Sequence, residues 1–162
     1  MAVRSARGLK LNDRVAEDVV VPELGAGLAA YDLSEAGRPT PIFRPCRDFS
    51  TAQPFDLASN FSWSNPISGG GFNFGGKFHQ LAPNIVGEPF PIHGNGFSSA
   101  WTVESQTVNA VELSLGSCGP GQFRYSARAA LQAAHEAGLR HQSFRRAAAL
   151  RSWISSLDCS DA

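Results

Sequence analysis

The sequence has no excess of charge of either sign, no long apolar run and no recognisable leader. Fourteen Lys and Arg residues balance fourteen Asp and Glu residues, so no overall field attracts the protein to nucleic acid or to an anionic membrane. No apolar stretch reaches the ~20 residues of a spanning helix. The charged residues 1–14 are not followed by the apolar segment of a secretory signal. We therefore predict a cytoplasmic protein with a local functional site and with neither nucleic acid nor membrane as a partner.

Cysteine is also scarce, and its spacing excludes the usual cysteine-based sites. Cys46, Cys118 and Cys159 are odd in number, far apart, and not arranged as CxxC or with Cys/His ligand spacing. Such a set is typical of reduced thiols in a cytoplasmic protein rather than of a disulfide framework or a zinc site. We predict no metal and no cofactor.

Glycine, proline and phenylalanine are plentiful. The chain has 16 Gly, 10 Pro and 11 Phe among 162 residues, with only 17% charged residues. This turn-rich and aromatic-rich composition favours short strands over helices, and the length is that of one ordinary domain. The sequence therefore predicts a mainly β fold.

Hydrophobic patterns place the strands. Residues 15–33 form a β-branched run, a Pro-Glu break and a Gly-punctuated apolar stretch, which predicts two strands joined by a tight turn, and a short strand follows at 41–43. Residues 68–81 predict a hairpin centred on Gly75-Gly76. A second hairpin is predicted from alternating apolar residues on either side of a turn near Asn109, namely Trp101, Val103, Val111, Leu113 and Leu115. In the hairpin centred on Gly75-Gly76 we assign the three phenylalanines, Phe72, Phe74 and Phe78, to the core.

The composition changes near Arg128. The following residues are rich in Ala and Arg and contain no Pro, which favours helix locally. An amphipathic stripe at i, i+3, i+4 and i+7 is formed by Leu150, Trp153, Ile154 and Leu157. We predict a first unit at residues 1–128 and a helical or disordered tail at 129–162.

Residues 63–103 carry specific motifs. They read WSNPISGGGFNFGGKFHQLAPNIVGEPFPIHGNGFSSAWTV and resemble the aldose 1-epimerase (galactose mutarotase) family, whose pattern includes S-N-R-I, G-x-F-x-F-x-G, L-x-x-N and H-G. The resemblance covers residues 19–125. It begins at residue 19 because VVVPELGAGLAAYDL, residues 19–33, resembles the opening hairpin of that family. It implies the front part of a galactose-mutarotase-like β-sandwich, or supersandwich.

The resemblance also implies a reaction. In that family a base removes the proton of the anomeric hydroxyl while an acid protonates the ring oxygen, so that the sugar opens, rotates and recloses as the other anomer. The family's base is a Glu near the end of the chain, and its acid is a His in a G-x-x-x-H-P motif. The implied partner is a monosaccharide, an aldohexose such as galactose or glucose.

Only two residues carry over as sugar contacts. His93 in PIHG matches the first substrate-binding His of the family, and Asn65 matches the Asn of S-N-R-I. The Arg that follows in the family is Pro66 here, which removes a charge and five donors from the site and weakens the expected affinity.

No acid and no base can be assigned from the sequence, so the catalytic residues stay unknown. His79 lies in the hairpin, His135 and His141 lie in the tail without a neighbouring proline, and neither Glu88 nor Glu104 has an identifiable partner. We expect an epimerase-like protein that is truncated and weakly active or inactive. Two alternatives are a noncatalytic carbohydrate-binding β module and a small independent β domain without a sugar ligand.

The tail permits a genetic hypothesis. One choice of synonymous codons for residues 150–159 encodes Phe-Gly-Leu-Gly-Phe-His-Pro-Trp-Ile in the plus-one frame, which contains the family's His-Pro segment. A frameshifted tail would leave strands of the parent fold without neighbours, and we therefore expect self-association through uncovered strands.

Overall fold

The computed structural model of this protein describes residues 6–35, 37–42, 44–49, 52, 56–57, 65–118, 124–133 and 151–156. Within these ranges the chain forms three antiparallel sheets, of four, four and two strands. Helical structure in the same ranges is limited to short 3₁₀ turns such as Ser68–Gly70 and Gly96–Ser98. The predicted mainly β fold is confirmed.

The first sheet contains the predicted amino-terminal hairpin. Its strands follow the chain in order, as β1 Leu9–Asn12, β2 Ala16–Val21, β3 Gly27–Glu35 and β4 Arg38–Pro41. The tight turn between β2 and β3 begins at Pro22, which cannot donate to a ladder, and it passes through left-handed backbone at Gly25 (φ 70°) and Ala26 (φ 51°). Two prolines in β4 limit further pairing at that edge.

The smaller sheet is the predicted glycine hairpin, formed by β5 Gly71–Phe74 and β6 Lys77–Gln80. Gly75 and Gly76 both have positive φ, 58° and 75°, as a two-residue type I′ turn requires. The core assignment holds in part for Phe72, which packs against the main core. It is wrong for Phe74 and Phe78, which are 43% and 50% exposed, because a two-stranded sheet offers few neighbours to cover both of its faces.

The second large sheet has the order β10-β9-β8-β7. Its strands are β7 Thr102–Gln106, β8 Ala110–Cys118, β9 Arg124–Gln132 and β10 Arg151–Ser156. The predicted second hairpin is β7 and β8, with Leu113 opposite Val103 and Val111 opposite Gln106. Val103 is nevertheless 40% exposed, because β7 lies at the edge of this sheet.

The predicted helical tail is not found in the part of the tail that the structure describes. Arg124–Gln132 pairs with β8 along its whole length, and Arg151–Ser156 pairs with β9. Ala129, Leu131 and Ala133 are buried and alternate with exposed Ala130 and Gln132, which is the period of a strand. Burying that face between two sheets outweighs the modest helix preference of alanine.

Leu150, Leu157, His135 and His141 lie outside the described residues. The division of the chain at residue 128 stays a prediction.

One hydrophobic core joins the two large sheets. The first sheet and its turn contribute Leu11, Val20, Ala26 and Leu28, and the second contributes Val111, Leu113, Leu115, Ala129, Leu131 and Ala133. Leu81 and Trp101, from the segment between the sheets, complete the cluster. A second cluster of Val21, Ala29 and Leu57 involves the same β2 and β3 strands. The layered packing of two antiparallel sheets is that of a β-sandwich.

A carboxyl group is buried on β2. Asp18 is 3% exposed and lies opposite Leu11 on β1 and Tyr31 on β3. Its Oδ1 has no hydrogen-bond partner among the described residues. Burial, and then repulsion from Asp13 and Asp32, raise the pKa of Asp18 from 3.8 to about 6. Burial, and then repulsion from Asp18 and Asp13, raise the pKa of Tyr31.

Candidate functional site

His93 lies in the loop between β6 and β7, in a conformation that few residues adopt. Its φ is 64°, and the residue is half-buried. A non-glycine residue in left-handed backbone is strained by about 1–2 kcal/mol. The surrounding loop must therefore hold this residue in place.

The side chain of Asn84 holds the loop on both sides of His93. Its Nδ2 donates to the carbonyl oxygens of Ile92 (2.8 Å) and Gly94 (2.6 Å). Its Oδ1 accepts a hydrogen bond from the backbone N–H of Ile92 at 2.9 Å. One half-buried amide thus binds three backbone groups that flank His93.

Aromatic side chains form the base of the loop. The ring of Phe97 meets the His93 imidazole edge to face, with 6.2 Å between ring centroids and an interplanar angle of 87°. Trp101 is buried and donates from Nε1 to the carbonyl oxygen of Gly96 at 2.8 Å. Because Trp101 belongs to the core cluster that the two sheets share, its hydrogen bond ties the loop to that core.

The turn between β2 and β3 packs against the same loop. The N–H of Trp101 donates to Pro22 O at 2.9 Å, and the N–H of Gly25 donates to Ser99 O at 3.0 Å. A Cβ atom on Gly25 would lie 2.0 Å from the carbonyl oxygen of Phe97. Only glycine permits this close approach, so the first hairpin supports the His93 loop directly.

Asn65 lies in the segment next to the His93 loop. The N–H of Ile67 donates to Pro91 O at 3.0 Å, so the segment that contains Asn65 touches the loop two residues before His93. Asn65 and Pro66 are both exposed. The two segments that carry the predicted sugar contacts therefore meet at one place, and Pro66 offers no side-chain donor there.

His79, Glu88 and Glu104, to which the sequence assigned no role in the site, have structural contacts or are exposed. The ring of His79 stacks on Phe72 with 5.5 Å between centroids, and its Nε2 lies 3.3 Å from Phe74 O. Glu88 is exposed, and the Glu104 carboxylate accepts a hydrogen bond from the hydroxyl of Ser114 within the second large sheet. Among the described ranges, no group of three or more His, Cys, Asp or Glu residues is arranged to hold a metal ion.

Sequence reasoning missed the residues that support His93. The L-x-x-N pattern includes Asn84, but nothing in the sequence shows that its amide binds the backbone eight to ten residues later. The contact between Gly25 and Phe97 joins residues 72 positions apart, so no local pattern predicts it. The only local signal was the position of Gly25 in the turn between two apolar strands, which indicates a tight turn but not its contact with Phe97.

Comparison with known families identifies the chain. The aldose 1-epimerase family model matches residues 8–144. The chain belongs to the aldose 1-epimerase family. The match starts before and ends after residues 19–125, the range that carries the recognisable motifs. No curated protein is significantly similar to the chain in sequence.

Solved structures share the fold. A candidate aldose 1-epimerase from Escherichia coli K12 superposes with a TM-score of 0.64 at 20% identity, over 79% of this chain and 42% of that one. A GalM/aldose epimerase homologue from C. elegans gives a TM-score of 0.61 at 17% identity, over 78% and 41% of the two chains. The present chain thus spans less than half the length of these structures.

Among the described residues, no helix has both the length and the hydropathy of a membrane-spanning segment.

Proposed function

We propose that this aldose 1-epimerase family chain binds the pyranose form of an aldohexose, such as galactose or glucose, at the His93 loop. The supporting observation is the backbone of His93, which is kept at φ 64° beside the Asn65 segment. Strained backbone that its surroundings hold in place is typical of ligand sites. An imidazole offers one donor and one acceptor to a sugar hydroxyl, and Asn65 offers an exposed amide.

We further propose that the chain by itself interconverts anomers weakly or not at all. Ring opening needs an acid at the ring oxygen and a base at the anomeric hydroxyl, and neither group was identified in the sequence. Pro66 stands where the family has an Arg that holds sugar hydroxyls. A site without that charge is expected to bind sugar with reduced affinity.

A sugar titration followed by nuclear magnetic resonance tests the binding. We expect D-galactose or D-glucose to shift the amide signals of the His93 and Asn65 segments, and the His93→Ala variant to need a much higher sugar concentration for the same shifts. The matched control is His79→Ala, which removes a histidine from the hairpin and should keep them. Equal shifts in the His93→Ala variant would show that the sugar does not use this loop.

A noncatalytic carbohydrate-binding module would show the same chemical-shift changes when the sugar is added. The two functions differ only in catalysis, and polarimetry of freshly dissolved α-D-galactose separates them. A module leaves the rate of anomer exchange at its buffer value, whereas a weak epimerase raises it in proportion to protein concentration.

Self-association and a cytoplasmic location are also part of this proposal. Strand β7 forms an edge of its sheet with all five residues exposed, and exposed edges template pairing with other chains.

Fractionation of cells that express the chain tests the location, since we expect the protein in the cytoplasmic fraction.

A further inference from the structure

The Asn84 amide binds backbone on both sides of a single residue. Two of its hydrogen bonds involve the N–H and the carbonyl oxygen of Ile92, and the third involves the carbonyl oxygen of Gly94. These groups belong to the residues immediately before and after His93. The amide therefore restrains the chain on either side of the His93 Cα.

Such restraint fixes the direction of the imidazole. At φ 64° the His93 backbone is in a conformation that an L residue leaves when nothing opposes it. A return to negative φ would rotate the Cα–Cβ bond relative to the loop and move the ring away from Phe97. Three hydrogen bonds of about 1 kcal/mol each are sufficient to offset the strain.

We propose that Asn84 is a positioning residue for His93: it binds no sugar itself and sets the orientation in which His93 meets the sugar. This inference rests on the proposed function only in assigning the sugar contact to His93. The positioning itself is a property of the free protein.

The variant that tests this is Asn84→Asp. It keeps the shape of the side chain and the acceptor for Ile92 N–H, but it replaces both donors with a carboxylate oxygen that repels the Ile92 and Gly94 carbonyls. The matched control is Asn73→Asp, which makes the same chemical change at an exposed position of the β5–β6 hairpin. Asn84→Ser is a second test variant for the case in which Asn84→Asp does not fold.

Without sugar, we expect the His93 ring signals to shift in Asn84→Asp but not in Asn73→Asp, while signals of the Leu113 region stay unchanged. With D-galactose, we expect the dissociation constant to rise about tenfold in Asn84→Asp, the effect of losing one to two hydrogen bonds. The control should bind like the wild type.

A double-mutant cycle separates positioning from a general structural role. If Asn84 acts through His93, Asn84→Asp adds no further loss of affinity in the His93→Ala background. The inference would be overturned if Asn84→Asp lowered the affinity by the same factor in the His93→Ala background as in the wild type. It would also be overturned by unchanged His93 ring signals in Asn84→Asp. If His93→Ala binds sugar as the wild type does, the proposed function is wrong, and the ring signals of the sugar-free protein still decide whether Asn84 positions His93.

Discussion

The buried carboxyl of Asp18 makes stability depend on pH in a way that one substitution can test. Asp18 is 3% exposed, faces Leu11 and Tyr31 across the sheet, and is repelled by Asp13 and Asp32. A charge in this position is poorly solvated, so folding favours the protonated form. Asp18→Asn removes the charge with little change in shape.

The magnitude follows from the pKa. Folding raises the pKa of Asp18 from 3.8 to about 6. The free energy of unfolding is therefore about 3 kcal/mol higher in acid, where Asp18 is protonated, than at neutral pH. Because the folded-state pKa is raised, this stability is fully present below about pH 4 and is lost as pH rises through about 6. Burying the new amide costs about 1–2 kcal/mol, so Asp18→Asn should be about 1–2 kcal/mol more stable at pH 7.5.

Urea unfolding at pH 4, 5, 6 and 7.5 measures this effect. We expect the free energy of unfolding of Asp18→Asn, relative to the wild type, to increase by about 3 kcal/mol from pH 4 to pH 7.5. Asp48→Asn, at an exposed aspartate, is the charge-matched control and should follow the wild type. If wild type and Asp18→Asn have parallel pH profiles, the burial argument is wrong.

Three further predictions concern the His93 loop and the sheet edge. Gly25→Ala should cost at least ~3 kcal/mol of unfolding free energy, because its Cβ would meet Phe97 O, whereas Gly76→Ala, at similar φ but in open space, should cost only ~1 kcal/mol; equal costs would refute the contact. Trp101→Phe should cost about 1–3 kcal/mol in urea unfolding, because it leaves Gly96 O without its buried donor, and a loss below about 0.5 kcal/mol would contradict this. Val103→Lys, on the β7 edge, should reduce self-association in sedimentation velocity without lowering the melting temperature; an unchanged distribution of sizes would show that β7 is not the associating edge.

The strands were predictable where a local rule determined them. The period-2 pattern of Val111, Leu113 and Leu115 gave β8, and two adjacent glycines gave the type I′ turn. The family was recognisable from motifs between residues 63 and 103, and the family model confirms it. His93 and Asn65 were placed from those motifs, and the structure brings their segments together.

The rest depends on contacts between distant residues. Alanine favours helix in isolation, yet Ala129 lies in β9 beside β8, because its face of the sheet is buried. Likewise, Phe78 is apolar but exposed, because its hairpin has only two strands. The amide of Asn84 meets backbone that only the folded loop brings near it. Such effects arise from tertiary structure and leave no local pattern.

Polarimetry of freshly dissolved α-D-galactose tests most directly whether this chain retains part of a sugar site without the groups that open the ring. We predict that the optical rotation reaches its equilibrium value at the rate seen in buffer alone, even at a protein concentration at which the sugar titration shows binding. A rate that rises in proportion to the amount of protein would show that the chain carries a working acid and base.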